Sequence, residues 1–153
     1  MTATMKGARP LTPGEIDLAR TVFGEAIDYA QVRLVRRRWW PFQPKAIVMA
    51  PTGNIHFHPA SDAWSDDFAK EELSAQGLFI HEMTHVWQAQ KRGRFYLVLM
   101  RHPFCRYGYE IIPDKPFDRY GLEQQAEIVR HAFLGARGMR FAQRPDPAIL
   151  PFA

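Results

Sequence analysis

Several things are scarce in this chain, and each shortage excludes a class of protein. It has one cysteine, Cys105, in 153 residues, so it can form no internal disulfide and no cysteine-based zinc site. A lone thiol suits a reducing compartment. With no Cys-His context around it, Cys105 reads as a small core or loop residue rather than a nucleophile. The opening MTATMKGARPLTPGE lacks the apolar stretch of a secretory signal. No apolar run approaches the length of a membrane span, and the longest, FYLVLM, is bracketed by Arg94 and Arg101. The expectation is a chain cytoplasmic as synthesised, whose export would use a route without a cleaved signal. There is no repeat and no low-complexity tract. Charge of one sign is barely in excess, with 20 Lys+Arg against 16 Asp+Glu and a net charge of +4. That balance does not argue for nucleic acid.

What is present fits one domain. A chain of this length buries roughly 68–70% of the surface it exposes when unfolded, enough for a core. Residues 1–10 read as a loose leader, 11–138 as a single domain and 139–153 as an extended, proline-rich tail. LTPGEIDLARTVFGEAI opens a helix: Thr12 can cap it, Pro13 suits its first position and Glu15 completes a capping box. YAQVRLV alternates like a strand. KAIVMA and NIHFHP, separated by PTG, read as a hairpin. Ser74 is a plausible cap for a helix running to about Lys91, which Gly93 can end. RFYLVLMRHPF is either a buried short helix or a strand, and RYGYEIIP looks β-like. A last helix spans Tyr120 to Arg137, with Gly138 at the C-cap. The fold class expected is α+β: a short antiparallel or mixed sheet packed on two main helices.

FIHEMTHVWQ carries the chemistry. His81 and His85 lie one helical turn apart, so their imidazoles aim at a common point. Neutral imidazole nitrogen suits tetrahedral zinc. Glu82 adjoins the first histidine, within reach of a water activated by the metal, and is the candidate general base. Leu78, Phe79, Ile80, Met83, Val86 and Trp87 make the helix apolar nearly all round, as in a buried helix. Buried imidazoles and carboxylates need partners, and a metal explains all three at once.

An open catalytic zinc site needs a third protein ligand, with water in the fourth place. The sequence offers three sources. One is YGLEQQAEIVRHAF, where Glu123 and Glu127 share a helix face. Another is HFH, where His56 and His58 alternate onto one side of a strand. The last is the pair of isolated histidines, His102 and His131.

HExxH followed downstream by a helix bearing Glu-x-x-x-acid resembles the gluzincin metallopeptidases, the thermolysin-like group. The resemblance implies Glu123 as third zinc ligand and Glu127 as the hydrogen-bond partner of a ligating histidine, His81. Such a partner fixes the tautomer and raises ligand basicity. Where the larger enzymes carry Asp, this chain has Glu127, one methylene longer. FIHEMTHVWQ together with YGLEQQAEIVR is also similar to the small domain of Vgr-related proteins, found beside bacterial contractile injection systems. That resemblance covers roughly residues 12–137 and implies a compact gluzincin-like domain with a secretion or injection system as partner.

Catalysis would also need a cleft and a donor for the developing oxyanion. NIHFHP is the candidate strand for an extended peptide, with Ile55 and Phe57 towards the core and His56 and His58 on the other face. Tyr107, Tyr109, Tyr120, His102 and His131 are the candidate donors. RLVRRRWWPFQPK sets arginines beside Trp39, Trp40 and Phe42. It reads as a solvated loop whose arginines stack on tryptophan, or as a surface for an anionic partner. Two functional readings follow. One is a zinc-dependent peptidase or amide hydrolase acting on extended peptide or a peptide-like cell-wall linkage. The other is a non-catalytic zinc-binding module of a secretion or injection system.

Overall fold

The computed structural model describes residues 6–100 and 105–152. Within them the chain is α+β, with a mixed sheet of three short strands and four α-helices. The first helix, α1 (Pro13–Phe23), begins as its sequence requires. The Thr12 hydroxyl accepts from the Glu15 N–H and the Glu15 carboxylate accepts from the Thr12 N–H, closing the capping box.

Glu15 does more than cap. It is fully buried and accepts two hydrogen bonds from the Arg9 guanidinium, at 2.9 and 2.8 Å, and one from the Phe68 N–H at 2.9 Å. Arg9 also donates to the Ser65 carbonyl. This pull on Arg9 is why Ala8–Pro10, expected in a loose leader, form strand β1 instead. Truncating Glu15 strands a half-buried guanidinium and a buried N–H. Glu15→Ala is therefore expected to destabilise the fold by about 3–5 kcal/mol, read as a lower midpoint in urea unfolding, with Glu15→Gln losing less.

β1 pairs antiparallel with β2 (Arg33–Val35), and β2 pairs parallel with β3 (Ile55–His56). Only the second half of YAQVRLV is strand, because Tyr29–Gln31 is spent in a 3-10 turn. The expected hairpin shrinks to one antiparallel bridge between Met49 and His56. The cause is local: the Ile47 N–H turns back onto the Pro44 carbonyl at 3.1 Å, which leaves little of KAIVMA extended.

The helix carrying HExxH, α2, runs Leu73–Arg92. Its N-cap is Glu72; Ser74, expected there, lies in the first turn and donates to the Glu72 side chain. Gly93 ends it at φ 101°, a conformation that glycine adopts without a Cβ penalty. The ambiguous RFYLVLM contributes a short helix, α3 (Tyr96–Met100). RYGYEIIP forms no strand; its Ile112 N–H donates instead to the Tyr120 hydroxyl. The last helix is α4 (Leu122–Ala136). The tail is not simply extended: Pro147–Ile149 make a 3-10 turn, and Phe152 packs on Phe23, Trp87 and Phe117.

α2 and α4 lie against each other through the middle of the core. Gly77 permits their approach, since a Cβ there would stand 2.9 Å from a methyl of Leu134. On the other side of α2, Phe79 stacks on Phe68 and Phe68 on Phe57, which ties the helix to the segment leaving β3. Each helix thus has its rotation set by packing, and with it the direction of its polar residues.

Candidate metal centre

From this scaffold α2 presents His81, Glu82 and His85, and α4 presents Glu123 and Glu127. All but Glu127 are buried, and Glu127 is partly so. One ligand atom from each of His81, His85 and Glu123 lies within 4.8 Å of the other two. Glu123 Oε2 is 3.4 Å from His81 Nε2 and 3.1 Å from His85 Nε2.

The remaining ring nitrogens show what this centre would hold. His81 Nδ1 is 2.6 Å from Glu127 Oε1, and His85 Nδ1 is 2.8 Å from Gln88 Oε1. Both partners are acceptors, so both Nδ1 atoms carry hydrogen. The amide orientation of Gln88 is itself pinned. Its NH₂ donates to the Leu122 carbonyl and to Gln125 Oε1, while the Gln125 NH₂ donates to the Tyr120 carbonyl. Two neutral Nε2 lone pairs and a carboxylate oxygen therefore converge in a buried space. Three acceptors that meet need a proton, a donor such as water, or a cation between them. Burial lowers the His81 pKa, but the hydrogen bonds to Glu123 and Glu127 outweigh it and hold the value up at about 9. The set of two imidazoles and one carboxylate fits zinc, whose binding would release a proton from His81.

Glu127 is held ionised. Burial pushes its pKa up, yet the His81 hydrogen bond and the charges of His81, Arg130 and His131 bring it below its ordinary value. Glu127→Ala is expected to weaken metal binding about 10- to 100-fold, measured by competition against a chromogenic chelator.

A cavity of about 350 Å³ opens on the centre, lined among others by Ile47, Val48, Glu82, Tyr107 and Arg130. A larger one of about 440 Å³ touches Gln88 and Glu123 but neither histidine nor Glu82, so of the two only the former meets both histidines and Glu82. Segment 46–48 forms part of the wall of the smaller cavity; NIHFHP, expected as the substrate strand, does not line it. His56 is turned to the Arg37 carbonyl, 3.3 Å away, and burial lowers its pKa. His58 Nδ1 accepts from the Ala60 N–H. Neither histidine joins the metal-ligand set. His131 and Tyr109 stand behind Glu127: the Tyr109 hydroxyl is 2.7 Å from His131 Nδ1, and His131 Nε2 is 3.4 Å from Glu127 Oε2. Tyr120 is occupied with the Ile112 N–H. His102 lies outside the described residues. Of the tyrosines picked out from the sequence, Tyr107 lines the cavity, its ring stacked on His81 at 6.3 Å between centroids.

Gln88, Gln125 and Arg130 join the site without being among the residues the sequence singles out. Gln88 has a local signal, since it follows His85 by one turn on the same helix face. Gln125 and Arg130 depend on the α2–α4 contact and had no local signal.

The site defines a class: a small α+β domain with a buried His₂Glu set able to hold a metal ion, open to a cavity beside a buried glutamate. No family model matches the chain. It is 43% identical over 136 residues to the type VI secretion system spike protein VgrG2b of Pseudomonas aeruginosa, a match that takes in 84% of this chain and 13% of that protein. The solved effector domain of VgrG2b superposes with a TM-score of 0.75 at 42% identity, covering 85% of this chain and 75% of that one. The chain belongs to the family of the VgrG2b effector domain.

Proposed function

We propose that this domain is an effector module of a type VI secretion spike and that it works as a zinc-dependent hydrolase of peptide or related amide bonds. The first half rests on the family. The second rests on one observation: two tautomer-locked imidazoles and a carboxylate converge at the edge of a cavity that also holds Glu82.

His81, His85 and Glu123 would hold the ion. When bound, it supplies a Lewis acid and a water of lowered pKa. Glu82 receives a proton from a water in the cavity and returns it to the leaving nitrogen. Glu127 and Gln88 keep the imidazoles in the tautomer that ligates. Segment 46–48 borders the cavity, and a peptide substrate would lie beside it. Glu127 reaches His81 despite its extra methylene, which supports the gluzincin-like reading.

A second reading keeps the metal and drops the chemistry: a zinc-holding accessory module of the secretion machine. Kinship with a spike-borne domain favours it independently of catalysis, because a fold and a site do not guarantee turnover. Metal analysis of the purified chain, combined with hydrolysis of a broad peptide library, separates the two. Bound zinc with cleavage supports the hydrolase. Bound zinc with nothing cleaved leaves the accessory module, and no bound metal removes both.

A further inference from the structure

The loop between β2 and the cavity wall is unlike the rest of the surface. No Asp or Glu occurs between Asp28 and Asp62, whereas Arg33, Arg36, Arg37, Arg38 and Lys45 do. In the middle of this acid-free stretch three aromatic side chains face solvent: Trp39 is 39% exposed, Trp40 42% and Phe42 77%. Trp40 and Phe42 meet edge to face at 5.5 Å, so they form one apolar patch rather than scattered rings.

The loop is anchored. Gln43 is buried beneath it, accepting from the Trp39 N–H at 2.8 Å and donating to the Ile47 and His56 carbonyls at 2.8 and 3.0 Å. Its own N–H donates to the Trp40 carbonyl. The Arg38 guanidinium donates to the Pro41 carbonyl, closing the turn again. A base tied this way holds the aromatic rings out in water, and they gain nothing there.

We infer that this loop docks on an anionic lipid surface. Tryptophan and phenylalanine between flanking cations is the composition that suits a bilayer interface, with rings at the acyl boundary and guanidinium groups at the headgroup phosphates. The absence of any carboxylate from 29–61 removes the repulsion that would oppose such docking; the Asp62 carboxylate pairs with Lys45 at 3.5 Å. No helix among the described residues is long and apolar enough to cross a membrane, so the attachment is peripheral. The loop runs directly into segment 46–48 at the metal cavity, which brings the cavity to the lipid surface.

The test is co-sedimentation of the whole chain with phosphatidylcholine vesicles and with vesicles that also carry phosphatidylglycerol, at low and high salt. Binding is expected to the anionic vesicles alone and to fall as salt rises. Trp39→Ala with Trp40→Ala and Phe42→Ala, and separately Arg37→Gln with Arg38→Gln, are each expected to weaken partition by roughly tenfold or more. Unfolding midpoint and bound zinc should stay at their wild-type values, so the result is independent of the hydrolase reading. Equal binding to both vesicle types, no binding to either, or undiminished binding by either variant overturns the inference. No binding to either would leave the loop as a protein-docking surface.

Discussion

Glu82→Gln is expected to keep its zinc and lose its turnover. The substitution exchanges a carboxylate oxygen for an NH₂ of nearly the same shape, so packing around this buried residue changes little. The metal-ligand set of His81, His85 and Glu123 is untouched. What disappears is the ability to accept a proton. General acid–base groups contribute about 10²–10⁴-fold to rate, so the variant's turnover should drop by that much, measured on any peptide the wild type cleaves. Zinc content by atomic spectroscopy should match wild type. A variant that retains activity would remove Glu82 as the base and leave the centre to another group of the same cavity.

His85→Ala should instead lose the metal itself. It takes away one of the three proposed protein ligands and would leave Glu123 and His81 to hold the ion with two. It also releases Gln88, whose carbonyl oxygen accepts from His85 Nδ1 while its amide nitrogen bridges to Leu122 and Gln125. Bound zinc after dialysis is expected to fall to roughly a tenth of wild type or less, and hydrolysis to vanish with it. The pair of variants separates two failures: one holds metal without chemistry, the other holds neither. Unchanged zinc in His85→Ala would mean that the ion sits elsewhere.

Much of the site could be read from local spacing. A turn of helix places His81 above His85 whatever the rest of the chain does, and another places Glu123 above Glu127. The capping box at Thr12 and Glu15 and the stop at Gly93 are equally local, because each is decided by the backbone within a few residues. Strands were read less well. A strand is completed by its neighbour, and KAIVMA carries β-type residues that the Pro44 turn keeps from pairing beyond the one bridge of Met49 with His56. The strand at Ala8–Pro10 escapes local reading for a related reason: nothing beside Arg9 announces that its guanidinium will be drawn to Glu15 and the Ser65 carbonyl.

The sequence by itself determined which residues can ligate and that they come in two helical pairs, since helical periodicity is a property of neighbouring residues. Only the tertiary structure decided that the pairs face each other. It did so through the packing of α2 on α4, where Gly77 admits Leu134 and each helix is rotated to turn its acids and imidazoles into one space. It also decided the protonation of that space. The contacts of Glu127 with His81 and of Gln125 with Gln88 join residues far apart in the chain, and those contacts fix which ring nitrogen is left for a metal.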